Sequence, residues 1–195
     1  PKWIGDIQGR RFMRWGVGER RFSRPIRWMV CLLDNHIVPI ALEGCDPIIY
    51  SSDISRGHRL YKDQIVIPSA SEYFSTLKME GVNVDRQSRK LLIQRLVEGE
   101  LMDKKCFSDL SEALLDELTD LVESPSLVCG KFDELFLDLP AEVLTTVMKV
   151  HQRYIPIFLK EDSFRNPLSF DSRNILSPLF LCISNGLINS NNNIK

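Results

Sequence analysis

Apolar positions recur at helical spacing in several stretches of the chain, with short β-prone runs between them. From Asp138 to Tyr154 the residues Val143, Leu144, Val147 and Met148 form one apolar stripe, which predicts a helix. Pro140 suits a first helical position, where a missing N–H costs nothing, and Asp138 can accept from the free donors of the first turn. Lys149, His151, Gln152 and Arg153 crowd the far end, and Tyr154 leads into Ile155-Pro156-Ile157-Phe158, an apolar run that reads as a strand. A core helix thereby delivers a cationic cluster to one rim of a sheet.

The same patterning predicts the remaining elements. Ile26 to Leu33 is β-prone, Asp34-Asn35 has turn chemistry and His36 to Leu42 resumes an apolar pattern, so these residues read as a hairpin with Pro39 placing its second strand at an edge. Gly44 to Ser55 reads as a loop around Ile48-Ile49-Tyr50, and Gln64 to Ile67 as a short strand. Ser69 and Glu72 form a capping box for a helix that stops at Gly81. Asp85 caps the next helix, with Leu91, Leu92, Leu96 and Val97 as its apolar side and Arg86, Arg89, Lys90 and Arg95 as its solvated face. A third helix is expected from Ser108, with Leu110, Leu114, Leu118 and Leu121 separated by Glu112, Asp116, Glu117 and Asp120 and with Pro125 ending it. Leu127 to Cys129 reads as a buried strand, Lys131 to Leu137 as a bridging turn or short helix, Lys160 to Ser177 as a polar loop, and Leu179 to Ile183 as a last strand. Without a regular βαβ rhythm, this order predicts an α+β fold with a mainly antiparallel or mixed sheet flanked by about four helices.

Composition narrows the class. The 195 residues are 44% hydrophobic and 26% charged, which suits one sizeable core or a domain with a satellite rather than a disordered chain. The longest apolar run, Ile26 to Leu33, is broken by Arg27 and falls far short of the roughly 20 residues that span a bilayer, so no membrane segment is expected. The five cysteines, Cys31, Cys45, Cys106, Cys129 and Cys182, form no CxxC pair, which argues against disulfide scaffolding and structural zinc. Cys31, Cys129 and Cys182 read as small buried hydrophobes in a reducing cytoplasm.

The net charge of −1 conceals an asymmetry. Residues 1–30 hold eight Lys or Arg against Asp6 and Glu19, whereas residues 98–138 hold twelve acids against Lys104, Lys105 and Lys131. A polyanion would therefore meet one side of the protein only. The acids of the third helix fit a solvated face better than a metal site, because they alternate regularly with leucines. Residues 1–25 interleave arginines with Trp3, Phe12, Trp15 and Phe22. Such a segment can clamp phosphates and stack on bases, or can staple itself to the domain through its aromatics. Arg56-Gly57-His58-Arg59 offers the same two readings, phosphate contact or a surface turn with paired arginines. No phosphate-binding glycine loop, dinucleotide fingerprint, nucleophile elbow, zinc helix or calcium loop pattern occurs, so neither nucleotide binding nor hydrolysis is indicated by a motif.

Six collinear blocks carry a resemblance to a known family. They are Phe12–Gly16, Arg21–Trp28, Arg56–Arg59, Leu114–Pro125, Gly130–Leu144 and Met148–Tyr154, and across roughly residues 10–188 the chain resembles the β subunit of the bacterial-type, two-subunit glycyl-tRNA synthetase. Two departures are Ser124, where that family usually has tryptophan, and Lys160 to Ser177, which exceeds the usual short turn. The resemblance implies a ligase of translation, active in the cytoplasm as an α2β2 heterotetramer. In such enzymes the α subunit activates glycine with ATP and Mg, and the β subunit binds tRNA-Gly. The chain itself is then expected to hold no cofactor, no metal and no catalytic residue. It is also similar to the B3/B4-type module of the phenylalanyl enzyme's β subunit. Pro1 in place of Met and the asparagine-rich end suggest an interior piece of a longer chain, with residues 1–25 as a basic linker, 26–188 as the α+β domain and 189–195 as a polar tail at a truncation.

On this resemblance, Arg24, Arg27, Arg56, His58, Arg59, Lys149, His151 and Arg153 are the candidate tRNA-binding residues. Three alternatives stand beside it: an editing-type hydrolytic pocket using His58 and His151, a structural module docking the α subunit through the hairpin, and a protein that has lost synthetase function.

Overall fold

The computed structural model describes residues 2–60, 63–102, 104–159 and 175–186. The contacts gather into two units, Pro1–Val82 and Asn83–Lys195. The boundary at residue 25 expected from composition lies within the first unit.

The first unit is built from short elements. α1 (Lys2–Asp6) precedes a two-stranded ribbon of β1 (Met13–Arg14) and β2 (Arg21–Phe22). β3 (Met29–Val30) is followed by the expected hairpin, in which β4 (Leu32–Leu33) pairs antiparallel with β5 (His36–Ile37). Asp34 takes φ 53° in the turn, a conformation its short polar side chain tolerates better than most. β6 (Ala41–Leu42) and β7 (Ile49–Ser52) pair antiparallel, and β3 joins β7 in parallel, so the stretch expected as a loop around Ile49 is a central strand. Leu42 and Ile49 are buried across that pair, and this tertiary burial overrides the glycine and proline signals nearby. β8 (Ile54–Ser55) pairs with β9 (Ile65–Val66). A short 3-10 turn, Ala70–Glu72, then leads into α2 (Tyr73–Met79), which closes at Gly81 with φ 76°. In the expected capping box Ser69 Oγ meets Glu72 Oε2 at 3.1 Å rather than a backbone N–H.

The second unit is a four-stranded antiparallel sheet with helical cover on both faces. Its elements are α3 (Arg86–Leu101), β10 (Cys106–Ser108), α4 (Glu112–Leu121), β11 (Pro125–Lys131), α5 (Ala141–Thr146), β12 (Ile155–Leu159) and β13 (Ile175–Asn185), and the strand order is β10-β12-β13-β11. Alternation along the strands divides the core. Ile155, Ile157, Leu181 and Ile183 face α3 and α4, meeting Ile93, Val97, Leu114, Leu115, Leu118 and Val122. Phe158 and Leu176 meet Met148 on the other side, with Leu144, Tyr154 and Phe180 packed around them. β12 is an inner strand covered on both faces, so Ile155 to Phe158 are all buried and the run reads as continuously apolar. These features make the protein α+β with small antiparallel and mixed sheets.

Several expected details differ. Asp85 does cap α3, accepting from Ser88 N at 2.8 Å, but the buried side of that helix is Ile93 and Val97 while Leu91 and Leu92 are exposed. Ser108 belongs to β10, paired with Ile157, and Ser111 caps α4 instead. Leu121 is exposed and Leu115 takes its place in the core. Asp138 ends a 3-10 turn, Glu134–Asp138, and makes no cap bond to α5, whose N-cap is Pro140. Cys129 is exposed, because β11 is the edge strand of its sheet, and Cys31 and Cys182 are half-buried. The polar loop expected over 160–177 lies outside the described residues up to 174, and its last three residues belong to β13. The expected tail at 189–195 also lies outside the described residues.

Candidate nucleic-acid interface

In the first unit two separate motifs meet at one indole. Trp28 sits at the end of an exposed run containing Arg24 and Arg27, immediately before β3. Arg56, which follows β8, lays its guanidinium over the Trp28 ring with Cζ 5.0 Å from the centroid. Arg56 Nη1 also donates to Asp63 Oδ1 at 2.6 Å, a partner on the far side of the Arg-Gly-His-Arg turn. The result is a half-exposed aromatic ring with three arginines beside it, one of them held in place by stacking and an ion pair. Arg59 is exposed on the same turn.

His58 is a correction. Its residue has no exposed surface, so it presents no atom to a phosphate. The His58 backbone N–H donates to Glu80 O at 2.8 Å, and Nδ1 accepts from Leu60 N at 3.3 Å. The imidazole is an internal anchor for the turn, and it fixes where Arg56 and Arg59 emerge on either side. A His between arginines gives no sign of this in the sequence, because its neighbours are polar and its backbone partner Glu80 lies far along the chain.

In the second unit, the helix that starts as α5 continues as a π-helix, Val147–Gln152. The wider turn leaves Val150, His151 and Gln152 all exposed while Met148 points into the core. His151 is thus a surface residue. Lys149 Nζ donates to Asp109 Oδ2 at 2.6 Å, and Arg153 Nε donates to Glu117 Oε1 at 2.7 Å. Arg153 Nη1 adds donations to the Val150 and His151 carbonyls at 3.1 and 3.2 Å, closing the helix end. Arg153 itself takes φ 55°, ψ 37°, the left-handed C-cap conformation. Lys149 and Arg153 therefore act as ties between the helix and the acid-rich α4 region.

The cations of α3, expected as a solvated face, do similar work. Arg86 Nε and Nη2 grip Asp120 at 2.7 and 3.1 Å, and Nη2 also reaches Asp116 at 3.0 Å. Lys90 Nζ lies 2.7 Å from Glu112 and 2.9 Å from Asp116. Arg89 donates to the carbonyls of Asn83, Val84 and Thr119. Hydrogen bonds from Lys90 and then Arg86 hold the Asp116 carboxyl below its ordinary value of 3.8, and Arg86 does the same for Asp120. Arg86 and Lys90 are raised by the same contacts. The sequence signal was present as matching four-residue spacing, Arg86 and Lys90 against Glu112, Asp116 and Asp120, but pairing two helices requires knowing that they lie side by side.

Among the described residues no group of three or more His, Cys, Asp or Glu is arranged to hold a metal ion. No helix among them is long and apolar enough to cross a membrane. Burial pushes the half-buried Cys182 thiol up, away from the reactive thiolate form.

These features define an α+β protein whose charged side chains serve partly as internal ties and partly as exposed arginine surface. A family model described as the glycyl-tRNA synthetase beta subunit matches residues 1–195, and the chain belongs to that family. It is similar to the glycine–tRNA ligase beta subunits of Trichodesmium erythraeum, 44% identical over 187 residues, and Acaryochloris marina, also 44% over 187. These alignments cover 95% of this chain and 25% of each relative. The beta subunit of Listeria welshimeri is 35% identical over 175 residues, 89% of this chain and 23% of that protein. The chain spans about a quarter of the length of the curated relatives it matches.

Proposed function

We propose that this chain is a tRNA-positioning part of the β subunit of a glycine–tRNA ligase, which joins glycine to tRNA-Gly in translation. Family membership supports the enzyme, and the observation that carries the local role is the arginine cluster at Trp28. Arg24, Arg27, Arg56 and Arg59 would hold tRNA phosphates, and the half-exposed Trp28 ring offers a stacking surface. Lys149 and Arg153 share their charge with Asp109 and Glu117, so with His151 they form a secondary contact region in this reading. ATP, Mg and amino-acid activation belong to the α subunit, in a cytoplasmic α2β2 assembly. The antiparallel sheet with helices on both faces supports likeness to the B3/B4-type module of the phenylalanyl enzyme.

The test is tRNA-Gly binding by the full α–β enzyme across a salt series. Each phosphate contact removed by Arg24→Ala, Arg27→Ala or Arg59→Ala is expected to weaken binding and to reduce the slope of log K against log salt by about 1. Unchanged affinity and slope in the triple variant would overturn the reading. A loss of subunit association with intact tRNA binding would point instead to α-subunit docking.

A further inference from the structure

The segment between β11 and β12 buries one apolar side and leaves further large apolar residues exposed. Its inner side, Ala141, Leu144 and Met148, packs on Phe158 and Leu176. Leu139, in the extended link before α5, and Val143 and Val147, one turn apart on the helix, are 48%, 51% and 43% exposed, and Leu135, Phe136 and Val150 are also exposed along the segment. A surface segment with one buried side ordinarily turns polar residues outward, so six exposed large apolar residues along this one mark a surface that another part of a protein covers.

We infer that this outer face is the docking surface for a further folded part of the same β-subunit polypeptide, one presenting an apolar centre rimmed by Lys or Arg. Two observations select this occupant. The relatives are about four times as long as the matched stretch, so such a polypeptide places several hundred residues more beside this chain. Around its first half the rim is acidic: Asp133, Asp138 and Glu142 are exposed, and Glu134, also exposed, pairs with Lys131 at 2.8 Å. That rim repels phosphates and anionic lipid and favours a basic protein surface. The inference rests on family membership and not on the tRNA reading, whose main arginine cluster at Trp28 belongs to the other unit.

The test uses the full-length β subunit with single Val143→Cys and Val147→Cys substitutions. Both keep the side chain small and apolar. Their rate of labelling by a maleimide, resolved by peptide mass spectrometry, is compared with that of Met79→Cys, a position 77% exposed. Labelling at least tenfold slower at 143 and 147 than at 79 is expected, in the β subunit alone and independently of its concentration. Carboxyl-to-amine crosslinks from Asp138 or Glu142 should then reach lysines of the same polypeptide outside these 195 residues. Equal labelling rates would overturn the inference. So would protection that appears only on adding α subunit, or that grows with β concentration as for a second copy.

Discussion

The Tyr154 ring stacks on the Phe180 ring with centroids 4.4 Å apart and planes 16° from parallel. Phe180 pairs with Gly130 across β11 and β13, and a Cβ at Gly130 would lie 2.3 Å from Phe180 Cζ and 2.8 Å from both Cε atoms. The aromatic that follows the cationic motif thus reaches the edge strand through one shared ring. Gly130→Ala must displace that ring from its stack, and overpacking of this kind costs about 1–3 kcal/mol. Gly99 is the internal control: it lies inside α3 and a Cβ there meets nothing within 4 Å. Gly99→Ala is expected to stabilise by roughly 0.5–1 kcal/mol through helix propensity. Urea denaturation of the two variants checks the opposite signs.

Leu118 and Leu121 separate the observed face of α4 from the face expected of it. Leu118 is 2% exposed within the cluster formed with Ile155 and Leu181, and Leu121 is 59% exposed. Leu118→Ala is therefore expected to cost about 2–5 kcal/mol, as for a buried leucine that leaves a cavity. Leu121→Ala should change stability by no more than about 0.5 kcal/mol. Similar losses for both would show that the helix is rotated from the position described.

How far such details could be read from sequence depended on whether their cause is local. The Asp34 turn, the Asp85 cap, the strand Ile155–Leu159 and the break at Gly81 are set by a few adjacent residues, and all four were legible. The α4 start was not, because Ser108 and Ser111 are both good caps and the choice falls to the pairing of β10 with β12, some fifty residues away. The α3 face was ambiguous for a related reason. Leu91, Leu92 and Ile93 wrap around the helix, and the carboxylates of α4 on Arg86 and Lys90 help fix its orientation. The candidate site divided in the same way. Clustered arginines are visible in a sequence, but the stacking of Arg56 on Trp28, the burial of His58 and the acid partners of Lys149 and Arg153 all join distant positions.

The α3–α4 ties predict a specific acid sensitivity. Asp116 and Asp120 have carboxyls held below the ordinary value of 3.8 in the folded protein, so the unfolded chain binds protons first as pH falls. Their stabilisation is fully present above that value and is lost as pH drops through it and on through the lower folded values. Arg86 and Lys90 remain charged throughout this window. The double variant Asp116→Asn, Asp120→Asn is expected to be less stable than wild type at pH 7 and to approach it as pH falls below 3.8. Denaturation midpoints measured from pH 7 to 2 should therefore converge. A constant offset between the two curves would show that these carboxylates do not provide the acid-labile stability.

Arg153 carries two opposing effects that substitution can separate. Its backbone sits in the left-handed region, which costs a non-glycine residue about 1 kcal/mol. Its side chain compensates by binding Glu117 and the Val150 and His151 carbonyls. Arg153→Ala keeps the backbone cost and loses the ties, whereas Arg153→Gly loses the ties and removes the cost. The glycine variant is therefore expected to be more stable than the alanine variant by about 1 kcal/mol, and Glu117→Gln to fall within about 1 kcal/mol of wild type, as for a solvent-exposed ion pair. The comparison needs only urea midpoints at two salt concentrations. The ordering of alanine and glycine should survive high salt, because its origin is conformational, while the smaller Glu117 effect should shrink as salt screens the pair. An alanine variant as stable as the glycine variant would mean that the π-helix ends in another conformation.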